Sequence, residues 1–105
     1  MTTTSTIDLD TLQRIADALA DDTRRRILVE LISGGRYPAD LADNLSVGRT
    51  NISNHLACLR GCGLVTTTSE GRRSRYDLAD PDLGEALAVL CSIKLAPTED
   101  CAHHQ

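Results

Sequence analysis

Apolar residues recur at intervals of three and four positions near both ends of the chain, which predicts an amphipathic helix at each end. The first helix is predicted from Asp8 to Ala20 and the last from about Asp82 to Leu95. Their apolar faces consist of Leu9, Leu12, Ile15, Ala16 and Leu19 in the first helix and of Leu83, Leu87 and Leu90 in the last. Packing these faces against the same helices of a second chain would bury them and form a two-fold dimer.

Three more helices are predicted between these two, bounded by capping and helix-breaking residues. Asp21-Asp22-Thr23 begins the second helix and Gly34-Gly35 ends it, whereas Pro38 suits the first turn of a short third helix. After a tight connection, a fourth helix runs from about Arg49 to Cys62 and is ended by Gly63. A helix, a short turn and a second helix are typical of a helix-turn-helix, whose second member, the recognition helix, enters the major groove of DNA.

The hydrophobic period changes from helical to alternating after Gly63. Residues 64–68 favour a strand, Glu70-Gly71 is a turn signal, and residues 74–78 alternate again, which predicts a β-hairpin. The expected fold is therefore mainly α with a β-hairpin wing, a winged helix-turn-helix that forms a homodimer through its terminal helices. We expect residues 1–96 to form the DNA-binding and dimerisation domain and residues 97–105 to form a flexible C-terminal tail.

Composition indicates the cellular compartment of the protein and, through it, the chemical state of its cysteines. The 105 residues include no Trp, no Phe and four Cys. The polar start at residues 1–6 does not resemble a signal peptide, and no apolar run approaches the roughly 20 residues that span a bilayer. We therefore expect a soluble cytoplasmic protein with no membrane partner, whose cysteines are thiols, metal ligands or redox groups rather than structural disulfides.

The net charge of −4 conceals a basic block in the middle of the chain. Residues 49–76 carry a charge of +4, whereas residues 1–48 carry −3 and residues 77–105 carry −5. A basic block of this kind is typical of a surface that contacts phosphates, although an ordinary solvated surface gives the same count.

A helical wheel of the recognition helix separates a core face from a polar face. Ile52 and Leu59 fall beside Leu56 on the core face, and polar side chains in the N-terminal half point outward. Asn pairs with adenine, and Ser or Thr contacts bases or phosphates, so the polar face suits DNA. An exposed polar helix beside a charged loop is the alternative interpretation. With the arginines of the hairpin tip, the candidate DNA contacts are Arg49, Thr50, Asn51, Ser53, Asn54, His55, Arg72, Arg73 and Arg75.

Four short segments occur in an order and spacing that characterise one family. They are residues 18–24 (Ala-Leu-Ala-Asp-Asp-Thr-Arg), Ser53-Asn54-His55-Leu56 with Leu59, Gly63-Leu64-Val65, and Glu70-Gly71-Arg72 followed by Tyr76. Together they resemble the ArsR/SmtB family of metal-sensing transcriptional repressors, over roughly residues 12–90. The resemblance implies a dimeric repressor, not an enzyme, that binds double-stranded operator DNA and leaves it when an effector binds. It assigns the DNA contacts to residues 49–55 and to the wing arginines.

Members of this family place their metal ligands at different positions. The frequent Cys-x-Cys site on the helix before the recognition helix is absent, because residues 38–45 contain no Cys. Another site uses Asp and His on the last helix, where this chain offers Asp82, Glu85 and Cys91 but no His. Neither site of the family is therefore expected in full.

Cys58 and Cys62 lie four residues apart on the recognition helix itself. One helix face can present two thiolates at this spacing to a single ion. Alternatively, they are two small, half-buried apolar residues. A disulfide between them fits poorly, because helix geometry disfavours the required approach of the two Cβ atoms.

Cys101 lies in the polar tail, where it has no core to pack into. As a third thiolate it would complete a site with Cys58 and Cys62, an arrangement that resembles the CmtR-type, cadmium- and lead-sensing branch of the family. In that branch the tail ligand comes from the other protomer. Three thiolates favour soft ions such as Cd(II), Pb(II) or As(III) over hard ones, and Zn(II) is a further candidate effector.

Other roles for the remaining residues stay open. Cys91 is more simply a packing residue of the dimer interface, and His103 and His104 are solvated or hold a secondary Zn(II) or Ni(II) ion. One rival function is a repressor whose cysteines sense thiol oxidation, and another is a thiol enzyme or metal-buffering protein. The chain offers no Cys–His–acid arrangement suited to nucleophilic catalysis and no glycine-rich phosphate loop, which argues against an enzyme.

Overall fold

The computed structural model describes residues 8–97, and over this range it confirms the winged helix-turn-helix. The elements are α1 (Leu9–Leu19), α2 (Asp22–Leu31), α3 (Pro38–Leu45), α4 (Arg49–Gly61), β1 (Val65–Glu70), β2 (Arg73–Leu78) and α5 (Pro81–Ser92). Helix α3, the turn after it and helix α4 form the helix-turn-helix, and the two strands form the wing. Within the described range, no helix has the length and apolar character needed to cross a membrane.

The first helices begin and end at the residues whose side chains suit those positions. Asp8 and Asp21 cap α1 and α2 by accepting a hydrogen bond from the backbone N–H three residues further on. Pro38 occupies the first turn of α3, where its missing N–H costs nothing. Ser46 ends α3 in the left-handed conformation with φ 57°.

The last helix is shorter than predicted. It ends at Ser92 instead of Leu95, because Ile93 takes an extended backbone with φ −67° and ψ 134°. Leu95 is 84% exposed, so further helical turns would bury nothing within the single chain. Pro97 also disfavours helical backbone at the residue before it. Local spacing of apolar residues therefore overestimated the length of α5.

The wing is an antiparallel hairpin that docks against the segment before α3. Val65 pairs with Leu78 at its base and Glu70 with Arg73 at its tip. The tip residue Gly71 has φ 66°, in the left-handed region that glycine tolerates. The backbones of Arg36 and Tyr76 exchange two hydrogen bonds of 2.9 and 2.8 Å, which attach the outer strand to the helical part.

One hydrophobic core joins all five helices and β1. Its fully buried side chains include three on α4, at the positions predicted by the helical wheel, and these fix which side of α4 faces outward. The largest of the fully buried set are Ile27, Leu28, Leu41, Ile52, Leu56, Leu59 and Val65. Leu83 and Leu87, predicted to pack against a second chain, lie instead in this core, because α5 folds back on its own chain. The large apolar side chains that stay exposed on the terminal helices are Leu9, Leu12, Val89 and Leu90.

Candidate nucleic-acid interface and cysteine pair

The N-terminal half of α4 presents polar and basic side chains to solvent. Thr50, Asn51 and Asn54 are exposed, as are their neighbours Arg49 and Ser53. The first turn of this helix carries no acidic residue. Backbone N–H groups at a helix N-terminus attract phosphate, and short polar side chains beyond them can contact base edges. This surface is chemically suited to the major groove of DNA.

His55 differs from its neighbours because it lies against another helix. Its side chain is 22% exposed, and its Nδ1 lies 3.8 Å from Oδ2 of Asp21 at the N-terminus of α2. The backbone N–H of Arg24 holds the pKa of Asp21 below its ordinary value, and the charges of His55 and Arg24 act in the same direction. His55 therefore connects the outward face of α4 to α2.

In the wing, Arg75 is surrounded by acidic partners. Its Nε donates to Oδ2 of Asp77 at 3.0 Å and its Nη1 donates to Glu70. The hydrogen bond to Asp77 and the charges of both acids raise the pKa of Arg75. The hydroxyl of Tyr37 donates to the same Glu70, which raises the pKa of Tyr37. Sequence reasoning missed Asp77, although strand alternation places residues i and i+2 on one face.

The other two arginines of the wing differ in their surroundings. Arg73 stacks its guanidinium on the ring of Tyr37, 3.4 Å from the ring centre, and its Nη2 lies 3.9 Å from Asp40. Arg72 lies at the tip of the hairpin and is exposed. Of the three candidate phosphate contacts of the wing, Arg72 is thus the one for which the structure records no protein partner among the described residues.

Cys58 and Cys62 lie at the C-terminal end of α4, and both are free thiols. Cys58 is exposed, and its Sγ accepts a hydrogen bond from Nη1 of Arg24 at 3.2 Å. Cys62 is half-buried, and its carbonyl oxygen accepts a hydrogen bond from Nη1 of Arg14 at 2.9 Å. Side chains of α1 and α2 therefore fasten this end of α4, with two sulfur atoms available as soft donors.

The remaining candidate ligands do not complete a site within the described range. Cys91 is exposed on α5, while Cys101, His103 and His104 lie outside the described residues. Between residues 8 and 97, no three His, Cys, Asp or Glu side chains come together as a metal site. A three-ligand site built on Cys58 and Cys62 therefore needs a donor from outside this range or from a second chain.

Comparisons with known proteins agree with this fold. A family model described as bacterial regulatory protein, arsR family, matches residues 21–67. The HTH-type transcriptional regulator CmtR of Mycobacterium tuberculosis is 55% identical over 89 residues, which cover 85% of this chain and 75% of that protein. The probable mercury resistance operon repressor of Streptomyces lividans is 34% identical over 80 residues, 76% of this chain and 64% of that protein.

Two solved structures resemble the chain over most of its length. The NMR structure of the cadmium metal-sensor CmtR from M. tuberculosis superposes with a TM-score of 0.70 at 52% identity, over 90% of this chain and 97% of that one. The NMR structure of a homodimeric winged helix-turn-helix DNA-binding domain from Mycobacterium bovis, a possible ArsR-family transcriptional regulator, gives a TM-score of 0.73 at 32% identity. That match covers 79% of this chain and 77% of the other.

Proposed function

The chain belongs to the ArsR family of bacterial transcriptional regulators, and we propose that it is a metal-responsive repressor. Its apo dimer binds operator DNA and releases it when a soft, thiophilic metal ion, Cd(II) or Pb(II), binds Cys58, Cys62 and Cys101. The division of α4 carries this proposal: the N-terminal half is polar and exposed, and the C-terminal end has two free cysteines four residues apart.

The operator contacts are assigned to α4 and the wing. Asn51 and Asn54 are suited to adenine edges in the major groove, since an Asn side chain can donate and accept in one plane. Thr50 and Ser53 contact bases or phosphates. The contacts to the DNA backbone are assigned to Arg49, His55, Arg72, Arg73 and Arg75.

A second copy of the chain would cover the apolar faces of the terminal helices. Leu9 and Leu12 on α1 and Val89 and Leu90 on α5 are each more than half exposed, which is unfavourable for a lone chain in water. A two-fold dimer buries them and presents two α4 helices to half-sites about one turn of DNA apart. The homodimeric M. bovis domain supports this assembly.

The donor set fits a soft ion. Cys58 is exposed and Cys62 follows it by one helical turn, so both sulfur atoms can approach one ion from the same face. Cys101 is proposed as the third donor, because a cysteine in a polar tail has no core to pack into and the arrangement resembles that of the CmtR-type branch. Sulfur donors select Cd(II) or Pb(II) over hard ions, and the similar CmtR protein is a cadmium sensor.

DNA binding and metal binding are then linked through α4. A bound metal supplies a bridge between the C-terminal end of this helix and the tail, which shifts the helix that contacts the operator. The linkage is reciprocal, so operator DNA must weaken metal binding by the same factor. A coupling free energy of roughly 1–3 kcal/mol lowers DNA affinity about 5- to 150-fold.

The test is a Cd(II) titration of DNA-bound protein, followed by fluorescence anisotropy in the presence of reductant. The DNA is a fragment selected from a random library for binding to the apo protein. We expect Cd(II) to release the parent protein and to leave the Cys101→Ser variant bound. Cys91→Ser is the control for the loss of a thiol outside the proposed site. Once size-exclusion chromatography shows that its dimer is intact, it should respond to Cd(II) as the parent does.

Two results would overturn the proposal. If Cys101→Ser responds to Cd(II) and Pb(II) as the parent does, the three-thiolate site is wrong. If no metal releases the reduced parent but mild peroxide does, the cysteines sense oxidation and the metal-sensing function is wrong.

A further inference from the structure

Arg24 connects the cysteine end of α4 to α1 and α2. Its Nη1 donates to Sγ of Cys58 and its Nη2 to the carbonyl oxygen of Asp17, both at 3.2 Å. Its Nε is buried without a hydrogen-bond partner among the described residues. A cation in the first turn of a helix is disfavoured by the helix dipole. The position of this side chain is therefore explained by its contacts beyond α2.

The acceptor of this hydrogen bond is the atom whose chemistry changes in the proposed function. A thiol sulfur accepts a hydrogen bond through its lone pairs, and the charge of a guanidinium donor strengthens this bond. When a metal ion takes the place of the thiol proton, a sulfur lone pair is directed at the ion and the side chain must turn towards the other ligands. The contact between Arg24 and Cys58 is therefore a contact of the metal-free sulfur.

A second contact joins the same two helices one turn earlier on α4. His55 Nδ1 lies 3.8 Å from Asp21 Oδ2, and the same carboxylate oxygen accepts the backbone N–H of Arg24 at 2.9 Å. His55 and Cys58 are three residues apart and share a helix face. The N-terminus of α2 thus contacts α4 at two adjacent points, one beside its polar half and one at its cysteine end.

We infer that Arg24 is a positioning residue that holds α4 in its DNA-binding orientation through Cys58, an inference that rests on the proposed function. Without metal, the Arg24–Cys58 and Asp21–His55 contacts together fix α4 against the N-terminus of α2. When the Cys58 sulfur becomes a metal ligand, the first contact is lost and α4 is free to shift against α2. The hydrogen-bond partner of Cys58 therefore determines how firmly the recognition helix is held.

A double-mutant cycle without metal tests this role. The DNA affinities of the parent, Arg24→Gln, Cys58→Ala and the double variant are compared by anisotropy on the selected fragment. Each single change removes one side of a charge-assisted hydrogen bond and should weaken binding on the order of tenfold. The double variant should bind no more weakly than either single variant, because both remove the same contact. Losses that multiply in the double variant would overturn the inference.

Arg25→Gln is the matched control for the loss of charge. Arg25 is the next residue on α2, and its guanidinium contacts the carbonyl oxygen of Leu19 and the carboxylate of Asp22 rather than α4. The loss of DNA affinity caused by Arg25→Gln should therefore multiply with the loss caused by Cys58→Ala when the two changes are combined. Arg24→Lys keeps a cation but loses the planar fork that spans two acceptors, so it should recover part of the affinity. Should Arg24→Gln fail to fold, the same cycle is run with Arg24→Lys.

Metal addition separates positioning from a merely structural role. In Arg24→Gln, the ratio of DNA affinities without and with Cd(II) should be smaller than in the parent, because the contact that the metal would release is already gone. If the losses of DNA affinity multiply in the double variant while Cd(II) still releases the parent from DNA, the role of Arg24 is wrong and the proposed function stands. If the affinity losses do not multiply in the double variant but Cd(II) fails to release the parent from DNA, the positioning role of Arg24 is supported and the metal-sensing function is wrong.

Discussion

The N-terminal half of α4 and the wing both carry proposed DNA contacts, but the protein holds these side chains differently. On α4, Asn51 and Asn54 are exposed to solvent. In the wing, Arg75 lies between two acids and Arg73 lies over an aromatic ring. A cation that is already paired within the protein adds less to the attraction of DNA phosphates than a free one. The wing is therefore less basic in effect than its sequence indicates.

The two regions therefore have different expected roles: the side chains of α4 contact the bases of the DNA, whereas most wing arginines make contacts within the protein. We expect the exposed side chains of α4 to determine which sequence is bound. In the wing, Arg73 stacks on Tyr37 and Arg75 is paired with Glu70 and Asp77, so we expect Arg72 at the tip to make the strongest of the three contacts to the DNA backbone. Substitutions in the two regions should consequently change different measured quantities.

The largest effect is expected from Asn51→Ala and Asn54→Ala. Each removes a side chain suited to pair with a base, at a cost of about 1–3 kcal/mol in operator binding. Affinity for random DNA should change little, because phosphate contacts remain. Anisotropy on the selected fragment and on a random duplex measures both quantities, with the exposed strand residue Thr66→Ala as the control. Equal losses on both duplexes would contradict base contact by these residues.

Gly35→Ala, in the segment between α2 and α3 that the wing packs against, should lower stability rather than sequence preference. An added Cβ would lie 2.6 Å from Cδ of Arg75 and from Oδ1 of Asp77, so relief of the clash displaces both partners. Overpacking of this kind costs about 1 kcal/mol, measurable as a lower urea midpoint. Gly61→Ala is the control, because nothing lies within 4 Å of its added Cβ and alanine favours a helix. An unchanged midpoint for Gly35→Ala would show that this packing does not support the wing.

A smaller effect should distinguish the arginines of the wing from one another. Arg72→Ala should weaken binding to every duplex alike and reduce the slope of log affinity against log salt by about 1, because one phosphate contact is lost. Arg75→Ala should change this slope less and reduce stability more, because it leaves Glu70 and Asp77 without their shared cation. The reverse order would mean that Arg75 leaves its acidic partners on binding DNA.

Local patterns were sufficient to predict the helices and the outward face of α4. Apolar spacing and capping residues act within a few positions of the chain, so they locate α1 to α4 closely. Once Ile52, Leu56 and Leu59 are assigned to the core, the orientation of every other side chain on α4 follows. The end of α5 was predicted less well, because it depends on what that helix packs against.

The partners of the site residues depend on tertiary packing, which the sequence pattern does not contain. Arg24 and Cys58 are 34 residues apart along the chain and meet only because α2 crosses α4 at this point. Tyr37 comes next to Arg73 because the wing folds back on the residue before α3. The sequence therefore predicted the basic block of the wing but not its partial neutralisation.

The smallest effect concerns Asp21, the acid that lies beside His55 of α4 as Asp77 lies beside Arg75 of the wing. Because the folded pKa of Asp21 is lowered, mainly by the backbone N–H of Arg24, its charge stabilises the fold above the ordinary pKa. That stabilisation is lost as the pH falls through the lowered value. Asp21→Asn keeps a capping side chain but not the charge, so its urea midpoint should fall below that of the parent at neutral pH and approach it in acid. His55→Ala should retain most of this pH dependence, and its loss would mean that His55, rather than the helix cap, dominates.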